Sequence, residues 1–530
     1  MSLVSEQVTS LAHESVVGEA DHARTMALQE VPVVAQDPRR FGSVLTPDSL
    51  QHFERSAVRG RELLGSRRFW NVNSTARGGG VAEMLRSLIG YARGAGLDVR
   101  WLVISADPEF FRITKRLHNR LHGHEGDGGP LGEAERASYE RRCEVNAELV
   151  AERVRAGDVV LLHDPQTAGM IPRLRETGAL VVWRAHIGID PPNDLAREAW
   201  GFLIPYVQAA DAYVFSHQAY LWAGLDPMKL MVIAPSIDAF SPKNHPMSFT
   251  GVTAVLRAAG LGADHHHSSR AVFERIDGTI GRVSTVANMI EEHQLRLDVP
   301  LLAQVSRWDR LKDPLGVIAA FAEHVHCEEA PHLVLAGPDV TAVADDPEGA
   351  EVFAEVQQAW SELPRRVRRR VHLALLPMAD PDENAVIVNA LQRRADVVAQ
   401  KSLAEGFGLT VSEAMWKGRP VVASDIGGIS GQVQDGRTGY LVDPCDLCTF
   451  GERVTELLDD PHMAERMGEA AQTRVRDMFL GPRHLSQYAE LLERVLSTDG
   501  ALRELTGDAT RRASRPPAGS PRRRLRPAPR

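Results

Sequence analysis

One segment constrains the fold more than any other part of the chain: AEGFGLTVSEAMWKGRPVVAS, residues 404–424. Its glycine-rich turn leads into a helix that Gly418 can end, and Pro420 prevents that helix from resuming. The apolar VVAS that follows is typical of a short buried strand. Glu405 lies in the turn, and Glu413 lies eight residues later inside the helix. Glycine turn, helix and strand in alternation indicate an α/β protein.

The same segment has the pattern of an anion-binding site. Backbone N–H groups at a helix N-terminus point outward and attract negative charge. Here those groups belong to Gly406, Phe407, Gly408 and Leu409. Glu413 follows within one or two turns, in reach of vicinal hydroxyls such as those of a ribose. The alternative interpretation is two glutamates on a solvated helix face, which the flanking EGFG and KGRPVV disfavour.

Further blocks carry a family resemblance. They are FWNVNSTARGGGVAEMLRSLIGYARGAGLDVRWLVI, FFRITKRLHNRLHG, VWRAHIGID, APSIDAFSPKN and VSRWDRLKDPLGVI. With the E-x7-E segment, they make the chain resemble the retaining, GT4-like glycosyltransferases. Within that group it is most similar to the trehalose glycosyltransferring synthases, over most of residues 68–495. The resemblance implies a GT-B fold, in which two Rossmann-like domains face each other across a nucleotide-sugar cleft.

The domain organisation expected from this resemblance has six parts. They are an N-terminal helical extension (1–66), an acceptor domain (67–242), a crossover segment (243–297), a donor-binding domain (298–480), C-terminal helices that pack back on the first domain (481–505) and a disordered Arg/Pro-rich tail (506–530). Strand-like runs such as DVVLLHD and HLVLAGP alternate with helical stretches in both large domains. The composition, 43% hydrophobic and 25% charged over 530 residues, is that of an ordinary globular protein.

The resemblance also assigns the donor site. Gly79 and Gly80 would contact the donor phosphates, and Arg307 and Lys312 would neutralise the β-phosphate. Glu405 would hold hydroxyls of the transferred hexose beside the Gly406 to Leu409 backbone, and Glu413 would hold the ribose. A nicotinamide site is the weaker alternative, because Glu83 stands where G-x-G-x-x-G needs its third glycine.

The acceptor side is predicted from residues at strand ends, where α/β folds carry functional groups. His186 ends VVWRAH, and the resemblance makes it the sugar-proximal histidine; a buried structural histidine is the alternative. Asn73, Asp164 and Asp190 are the candidates for binding acceptor hydroxyls. With Glu405, Arg307 and Lys312, His186 completes the predicted catalytic group.

The expected reaction transfers glucose, with retention, from ADP-, UDP- or GDP-glucose to free glucose, giving trehalose. No cofactor or Mg²⁺ is expected, since fixed cations and helix N-termini would stabilise the leaving diphosphate. A trehalose phosphorylase using glucose 1-phosphate, and a related glucosyltransferase with another acceptor, remain open. A protein of this fold that binds through its arginine tail is the alternative from another class.

The remaining features predict no metal site. Asp380 and Asp382 form a D-x-D string that is typical of a helix cap, and Cys445 and Cys448 form a lone C-x-x-C. The run from His265 to His267 has the pattern of a loop.

Location and partners are predicted as follows. A cytoplasmic protein is expected, because neither a signal peptide nor an apolar run of about 20 residues is found. We expect a homodimer with no membrane association. Nucleic acid is not an expected partner; the alternative is that residues 511–530, which carry eight arginines and no acid, act as an electrostatic tether.

Overall fold

The computed structural model describes residues 28–76, 79–262, 271–340 and 347–513. Two α/β domains follow one another, each built on a seven-stranded sheet, and a long final helix returns to the first domain. The predictions for the three-histidine run and for the chain beyond residue 513 lie outside the described residues, as do residues 1–27.

The first sheet is parallel except at one edge. Its strands are β1 (Gln29–Glu30), β2 (Phe69–Asn73), β3 (Val99–Val103), β4 (Val159–His163), β5 (Leu180–Ala185), β6 (Ala212–Phe215) and β7 (Leu230–Val232). Their order is β1-β3-β2-β4-β5-β6-β7, with β1 antiparallel to β3. The inner strands β4 and β5 are mainly apolar and are buried along their whole length, as helix-covered parallel strands require.

The second sheet repeats this plan with another order. Its strands are β10 (Asn288–Ile290), β11 (Leu301–Val305), β12 (His332–Pro338), β13 (Val371–Leu376), β14 (Val397–Gln400), β15 (Val421–Ser424) and β16 (Tyr440–Val442). The order is β10-β13-β12-β11-β14-β15-β16, with β10 antiparallel to β13. A small hairpin, β8 (Val272–Glu274) and β9 (Ile280–Arg282), precedes this sheet.

Helices cover both sheets. Those of the first half are α1 (Pro47–Leu64), α2 (Gly80–Gly94), α3 (Pro108–Leu121), α4 (Glu133–Ala151), α5 (Pro165–Ala168), α6 (Ile171–Arg175), α7 (Asp194–Val207) and α8 (Phe249–Ala258). Those of the second half are α9 (Pro314–His324), α10 (Pro347–Glu362), α11 (Arg365–Arg368), α12 (Pro381–Arg394), α13 (Leu409–Trp416), α14 (Gly427–Gln432), α15 (Leu447–Asp459), α16 (Pro461–Met478) and α17 (Gly481–Ala513). Short 3-10 turns lie at Pro38–Ser43, Gln218–Tyr220, Pro227–Lys229 and Arg310–Lys312.

Capping residues begin several helices where the sequence indicates. Thr46 starts α1, its hydroxyl accepting a hydrogen bond from the Ser49 N–H at 3.3 Å. Asp380 caps α12 by accepting from the backbone N–H groups of Asp382 and Glu383. Each cap satisfies donors that the first turn of a helix leaves free.

The final helix, α17, joins the two domains a second time. Its apolar face packs on α1 and contributes Tyr488, Leu491, Leu492 and Val495 to the core of the first domain. Arg184 of β5 is fully buried and donates to His484 and Tyr488 of this helix at 2.9 and 2.6 Å. The chain therefore passes between the domains twice.

Both sheets have a topological switch point, where neighbouring strands lead to connections on opposite faces. In the first sheet it lies between β2 and β4, and in the second between β11 and β14. Ligands of open α/β sheets bind outside the carboxyl ends of strands at such points. The residues that follow Asn73, His163, Val305 and Gln400 are therefore the first place to seek a site.

The structure adds elements that the sequence did not predict. In the predicted crossover segment, residues 243–297, the described part contains one helix, α8, together with β8, β9 and β10. The antiparallel edge strands β1 and β10 are two and three residues long, too short for a periodic signal. No helix in the described ranges combines the length and apolar character of a membrane span.

Candidate active site

The switch point of the second sheet holds an ion pair. Lys312 lies at the end of the 3-10 turn after β11, and Glu405 lies in the turn after β14. Lys312 Nζ is 2.5 Å from Glu405 Oε2, and Gln400 Nε2 donates to the same oxygen at 3.3 Å. The two charged side chains are 17% and 13% exposed, so the pair is shielded but open to a ligand.

Arg307 lies at the rim of this site. Its guanidinium is 61% exposed and contacts Asp309 Oδ2 at 3.1 Å. An exposed ion pair of this kind contributes about 0 to 1 kcal/mol to stability, so little is lost when the arginine turns to another anion. The structure brings Lys312 and Glu405 together and keeps Arg307 nearby at the surface.

The turn that carries Glu405 is held by two glycines not assigned a role from the sequence. A Cβ on Gly427 would lie 2.1 Å from the carbonyl oxygen of Glu405, and one on Gly428 would lie 2.6 Å from that of Gly406. Any side chain there would displace the backbone of the turn. Gly408, with φ 82°, ends the turn and begins α13.

Glu413 is almost buried in α13 and has a cationic neighbour. Lys243 Nζ lies 3.4 Å from Glu413 Oε1 and 3.0 Å from Glu83 Oε2 in the first turn of α2. Burial opposes the charge of Lys243, but Glu413 and Glu83 outweigh it and raise the pKa of the amine. Lys243 thus links the carboxylate predicted to bind ribose with the helix behind the predicted phosphate turn.

That phosphate turn meets the donor turn across the cleft. Gly79 has a φ of 81° and leads into α2, which begins at Gly80. A Cβ on Gly80 would lie 2.6 Å from Cδ1 of Leu409, the first residue of α13. The structure therefore brings Gly79 and Gly80 against the N-terminus of the donor-site helix, so that two helix N-termini open into one cleft.

At the switch point of the first sheet lies a chain of neutral polar groups. His186 Nε2 is 3.0 Å from His163 Nδ1, and His163 Nε2 is 3.3 Å from Asn71 Oδ1. Burial, with the nearby positive charge of Arg184, holds the pKa of both histidines well below the usual range. Both imidazoles are therefore neutral at pH 7.

Asp164 is hydrogen-bonded through its carboxyl group to the backbone of His186. Its Oδ1 accepts a hydrogen bond from the His186 backbone N–H at 2.8 Å, and its φ of 62° is unusual for a residue other than glycine. Burial raises the pKa of the Asp164 carboxyl to about 7, despite that hydrogen bond. In this structure its carboxyl positions the strand-end backbone; an acceptor contact stays a prediction.

The other two acceptor candidates differ in their surroundings. The Asn73 amide is used within the first domain: its Oδ1 accepts from Trp101 Nε1 at 2.7 Å and its Nδ2 donates to Thr75 O at 2.8 Å. Asp190 lies in the loop between β5 and α7. Burial lowers the pKa of His217 and raises that of Tyr220, and the negative charge of Asp190 opposes the first shift and adds to the second. For Asn73 and Asp190 alike, acceptor binding remains a prediction.

Tyr220 is a site residue that sequence reasoning missed. From the first domain, its hydroxyl donates to the carbonyl oxygens of Gly406 at 2.7 Å and Glu405 at 3.2 Å. It is buried and fixes the donor turn from across the cleft. Its segment, SHQAYLW, has no spacing or motif that indicates this contact, so it could not be predicted from local sequence.

The structure bears on the features for which no metal role was predicted. Asp380 pairs with Arg275 and caps α12, while Asp382 accepts from the Ile276 N–H. Within the described ranges, no three His, Cys, Asp or Glu side chains form a metal-binding group. Cys445 and Cys448 are exposed free thiols.

Comparison with known proteins accords with this geometry. Residues 71–222 match the family described as trehalose synthase, N-terminal domain, and residues 286–474 match glycosyl transferases group 1. The trehalose synthase of Pyrococcus horikoshii is 35% identical over 431 residues, which span 81% of this chain and 91% of that protein. The chain belongs to the trehalose synthase family.

More distant relatives of the family have a similar architecture. A trehalose phosphorylase of Pleurotus pulmonarius is 26% identical over 433 residues, 76% of this chain and 54% of that protein. The crystal structure of an α,α-trehalose-phosphate synthase from Burkholderia vietnamiensis superposes with a TM-score of 0.58 at 15% identity, covering 82% of this chain and 98% of that one. The fold is the GT-B fold, as predicted, and the protein is a glycosyltransferase.

Proposed function

We propose that the protein is a retaining glucosyltransferase that makes trehalose from a nucleoside-diphosphate glucose and free glucose. The observation that carries the proposal is the Lys312–Glu405 pair, 2.5 Å apart at a switch point and opposite the Gly79–Gly80 turn. A carboxylate for hexose hydroxyls then stands beside a cation for a diphosphate. The identity to trehalose synthases supports the choice of glucose as acceptor.

The mechanism follows from where charge develops. The acceptor hydroxyl oxygen forms a bond to the anomeric carbon on the face from which the diphosphate departs. The bond between that carbon and the phosphate oxygen breaks, and the diphosphate takes the hydroxyl proton. Configuration is retained. Negative charge grows on the leaving oxygen, so cations fixed near it stabilise the transition state more than the ground state.

Each site residue has a role in this scheme. Lys312 and Arg307 would neutralise the β-phosphate, aided by the N-termini of α2 and α13. Glu405 would hold hexose hydroxyls, Glu413 would hold the ribose, and His186 would contact the transferred sugar from the first domain. No metal ion is assigned a step; activity that survives excess EDTA would support this part of the proposal.

The test supplies purified protein with glucose and, separately, ADP-, UDP- or GDP-glucose. Trehalose and a stoichiometric nucleoside diphosphate are the expected products, and the rates rank the donors. Parallel reactions replace glucose by glucose 6-phosphate, or the donor by glucose 1-phosphate. Product only from glucose 6-phosphate would change the acceptor, and failure with every nucleotide sugar would refute the proposal.

A trehalose phosphorylase is the second candidate. It is favoured by the match to the Pleurotus pulmonarius enzyme, although the chain spans about half of that protein. The same Arg307 and Lys312 would then bind inorganic phosphate. Release of glucose 1-phosphate from trehalose and phosphate, without any nucleotide, would decide for this candidate. A homodimer and a cytoplasmic location stay predictions.

A further inference from the structure

The block LHNRLHG, singled out in the sequence without a role, brings two histidines of the first domain to the donor site. It ends α3, where the rings of His118 and His122 meet edge to face with centroids 4.9 Å apart. Across the cleft, a Cβ on Gly406 would lie 3.3 Å from His122 Cε1. His122 therefore reaches the turn that carries Glu405, although it belongs to the other domain.

The charges around this histidine pair are mostly positive. His122 interacts electrostatically with Lys312 and Glu405 of the second domain, and with Lys115 and His124 of its own segment. His118 interacts electrostatically with Lys115 and Arg307. Two carboxylates pair with these cations, Glu405 with Lys312 at 2.5 Å and Asp309 with the exposed Arg307 at 3.1 Å, and Lys115 adds a further positive charge. The surroundings thus favour an anionic ligand.

His118 also has an unused polar atom. Its Nδ1 is buried and makes no hydrogen bond of good geometry within the described part of the chain, although the Asn119 side chain interacts with the ring. Buried polar atoms are nearly always satisfied, so an unsatisfied one next to a site calls for a ligand or an ordered water. An imidazole can supply an N–H donor to an oxygen anion without adding bulk.

We propose that His122, backed by His118, binds the leaving diphosphate from the first domain, opposite Arg307 and Lys312. The proposal rests on the proposed function, because the diphosphate is that of the nucleotide-sugar donor. It makes the phosphate site a two-sided clamp. The second domain supplies permanent cations, and the first supplies imidazoles whose charge depends on the ligand.

The protonation of the pair supports this assignment. Burial lowers the pKa of His122 to about 4, against the opposing effect of Glu405. Burial, with His122 and Lys115 nearby, also holds the pKa of His118 well below the usual value. Both are neutral near pH 7 without an anion. A diphosphate would raise both pKa values, because negative charge favours imidazolium, and its binding would take up protons.

Calorimetric titration of the full chain with ADP and with UDP tests the proposal. Titrations at pH 6.5 in PIPES and in bis-Tris, which differ in ionisation enthalpy, give the number of protons bound per nucleotide. The parent should take up a fraction of a proton, beyond the contribution of the nucleotide itself. His122→Asn should lose most of that uptake and bind about 10-fold more weakly.

Two further variants separate binding from folding. Both amides carry N–H donors that cannot ionise, but the longer glutamine side chain reaches about as far as the imidazole Nε2, so His122→Gln should regain part of the affinity and none of the proton uptake. His52→Asn, on the exposed face of α1, is the matched control and should behave as the parent. Each variant is first checked for an unchanged melting temperature.

Three results would overturn the proposal. Parental affinity and proton uptake of His122→Asn for ADP and UDP would remove His122 from the diphosphate site and leave the proposed function standing. Unchanged diphosphate binding with weaker nucleotide-sugar binding would assign His122 to the hexose instead. If the parent bound neither ADP nor UDP, nor GDP in a third titration, this inference and the nucleotide-sugar function would both be refuted; the first two results leave that function intact, so the failures are distinguishable.

Discussion

At the switch point of the second sheet, Lys312 and Glu405 form an ion pair 2.5 Å apart, whereas the corresponding point of the first sheet holds His163 and His186, hydrogen-bonded at 3.0 Å. Both sites lie at the carboxyl ends of parallel strands and both are shielded from solvent. One keeps its charges by pairing them, while the other holds neutral groups because burial disfavours their protonation.

This difference suits the two electrostatic requirements of the proposed reaction. A departing diphosphate gains negative charge, and fixed cations stabilise it best. The hydroxyls of the transferred sugar stay uncharged, and the neutral imidazole of His186 would hydrogen-bond them without adding a charge. In the proposed reaction the same architecture, used twice, would thus meet two different electrostatic needs through the few residues at its strand ends.

The largest expected effect comes from removing charge on the donor side. Lys312→Met should lower kcat about 10²- to 10³-fold, because the cation opposite the leaving oxygen is lost. Steady-state kinetics with the best nucleotide-sugar donor measures it. Lys312→Arg should keep part of the parental rate, and the control variant Lys229→Met, altered just before β7 and away from the cleft, should keep all of it. A loss below about threefold would show that the pair is structural.

An intermediate effect is expected at the ribose carboxylate. Glu413→Ala should lose hydrogen bonds that contribute roughly 1.5 to 3 kcal/mol, or about one to two decades in nucleotide affinity. Calorimetry with the nucleoside diphosphate measures it. Glu83→Gln removes the other carboxylate at Lys243 and controls for that amine. If Glu413→Ala and Glu83→Gln bind the nucleoside diphosphate with the same affinity, Glu413 is a partner of Lys243 and not of ribose.

The smallest effect concerns stability and tests whether the first-sheet histidines are neutral. Their folded pKa values lie below the unfolded value of about 6.5, so their contribution is complete above that pH and is lost as pH falls. Each should cost up to about 1.4 kcal/mol per pH unit below 6.5. The free energy of unfolding is measured by urea denaturation of the parent and of His163→Asn at pH 8, 6.5 and 5. Below pH 6.5 it should fall less steeply with decreasing pH in the variant, by that amount.

Asp164 acts in the opposite direction over the same range. Its folded pKa of about 7 lies above its unfolded value, so its contribution is present at low pH and is lost as pH rises through 7. Because Asp164 is present in both proteins, comparison of parent and variant removes its effect. Equal slopes for the two proteins would mean that His163 is already charged in the folded state.

The sequence predicted those features whose signal is local. Glycine turns, caps and continuous apolar runs mark strand–turn–helix units, so the inner strands and the helix after Gly408 followed from the printed residues. The edge strands β1 and β10 did not, because two or three residues carry no periodicity. They exist because neighbouring strands offer a free edge.

The site divides in the same way. Glu405, Lys312 and the Gly79–Gly80 turn lie in short sequence patterns to which the family resemblance assigns roles. The partners of Tyr220, Lys243 and His122 lie far away along the chain. The shortest separation is 160 residues, from Lys243 to Glu83, and the longest is 284, from His122 to Gly406. Their roles depend on how two domains face each other, and no local spacing encodes that.

The return of α17 has a consequence for the order in which the protein matures on the ribosome. The core of the first domain includes Tyr488, Leu491, Leu492 and Val495, which are among the last described side chains to emerge. The second domain has its strands by Val442 and its covering helices by Met478. Domains generally fold in the order of synthesis. In this protein the domain that is translated first is the one that is completed last.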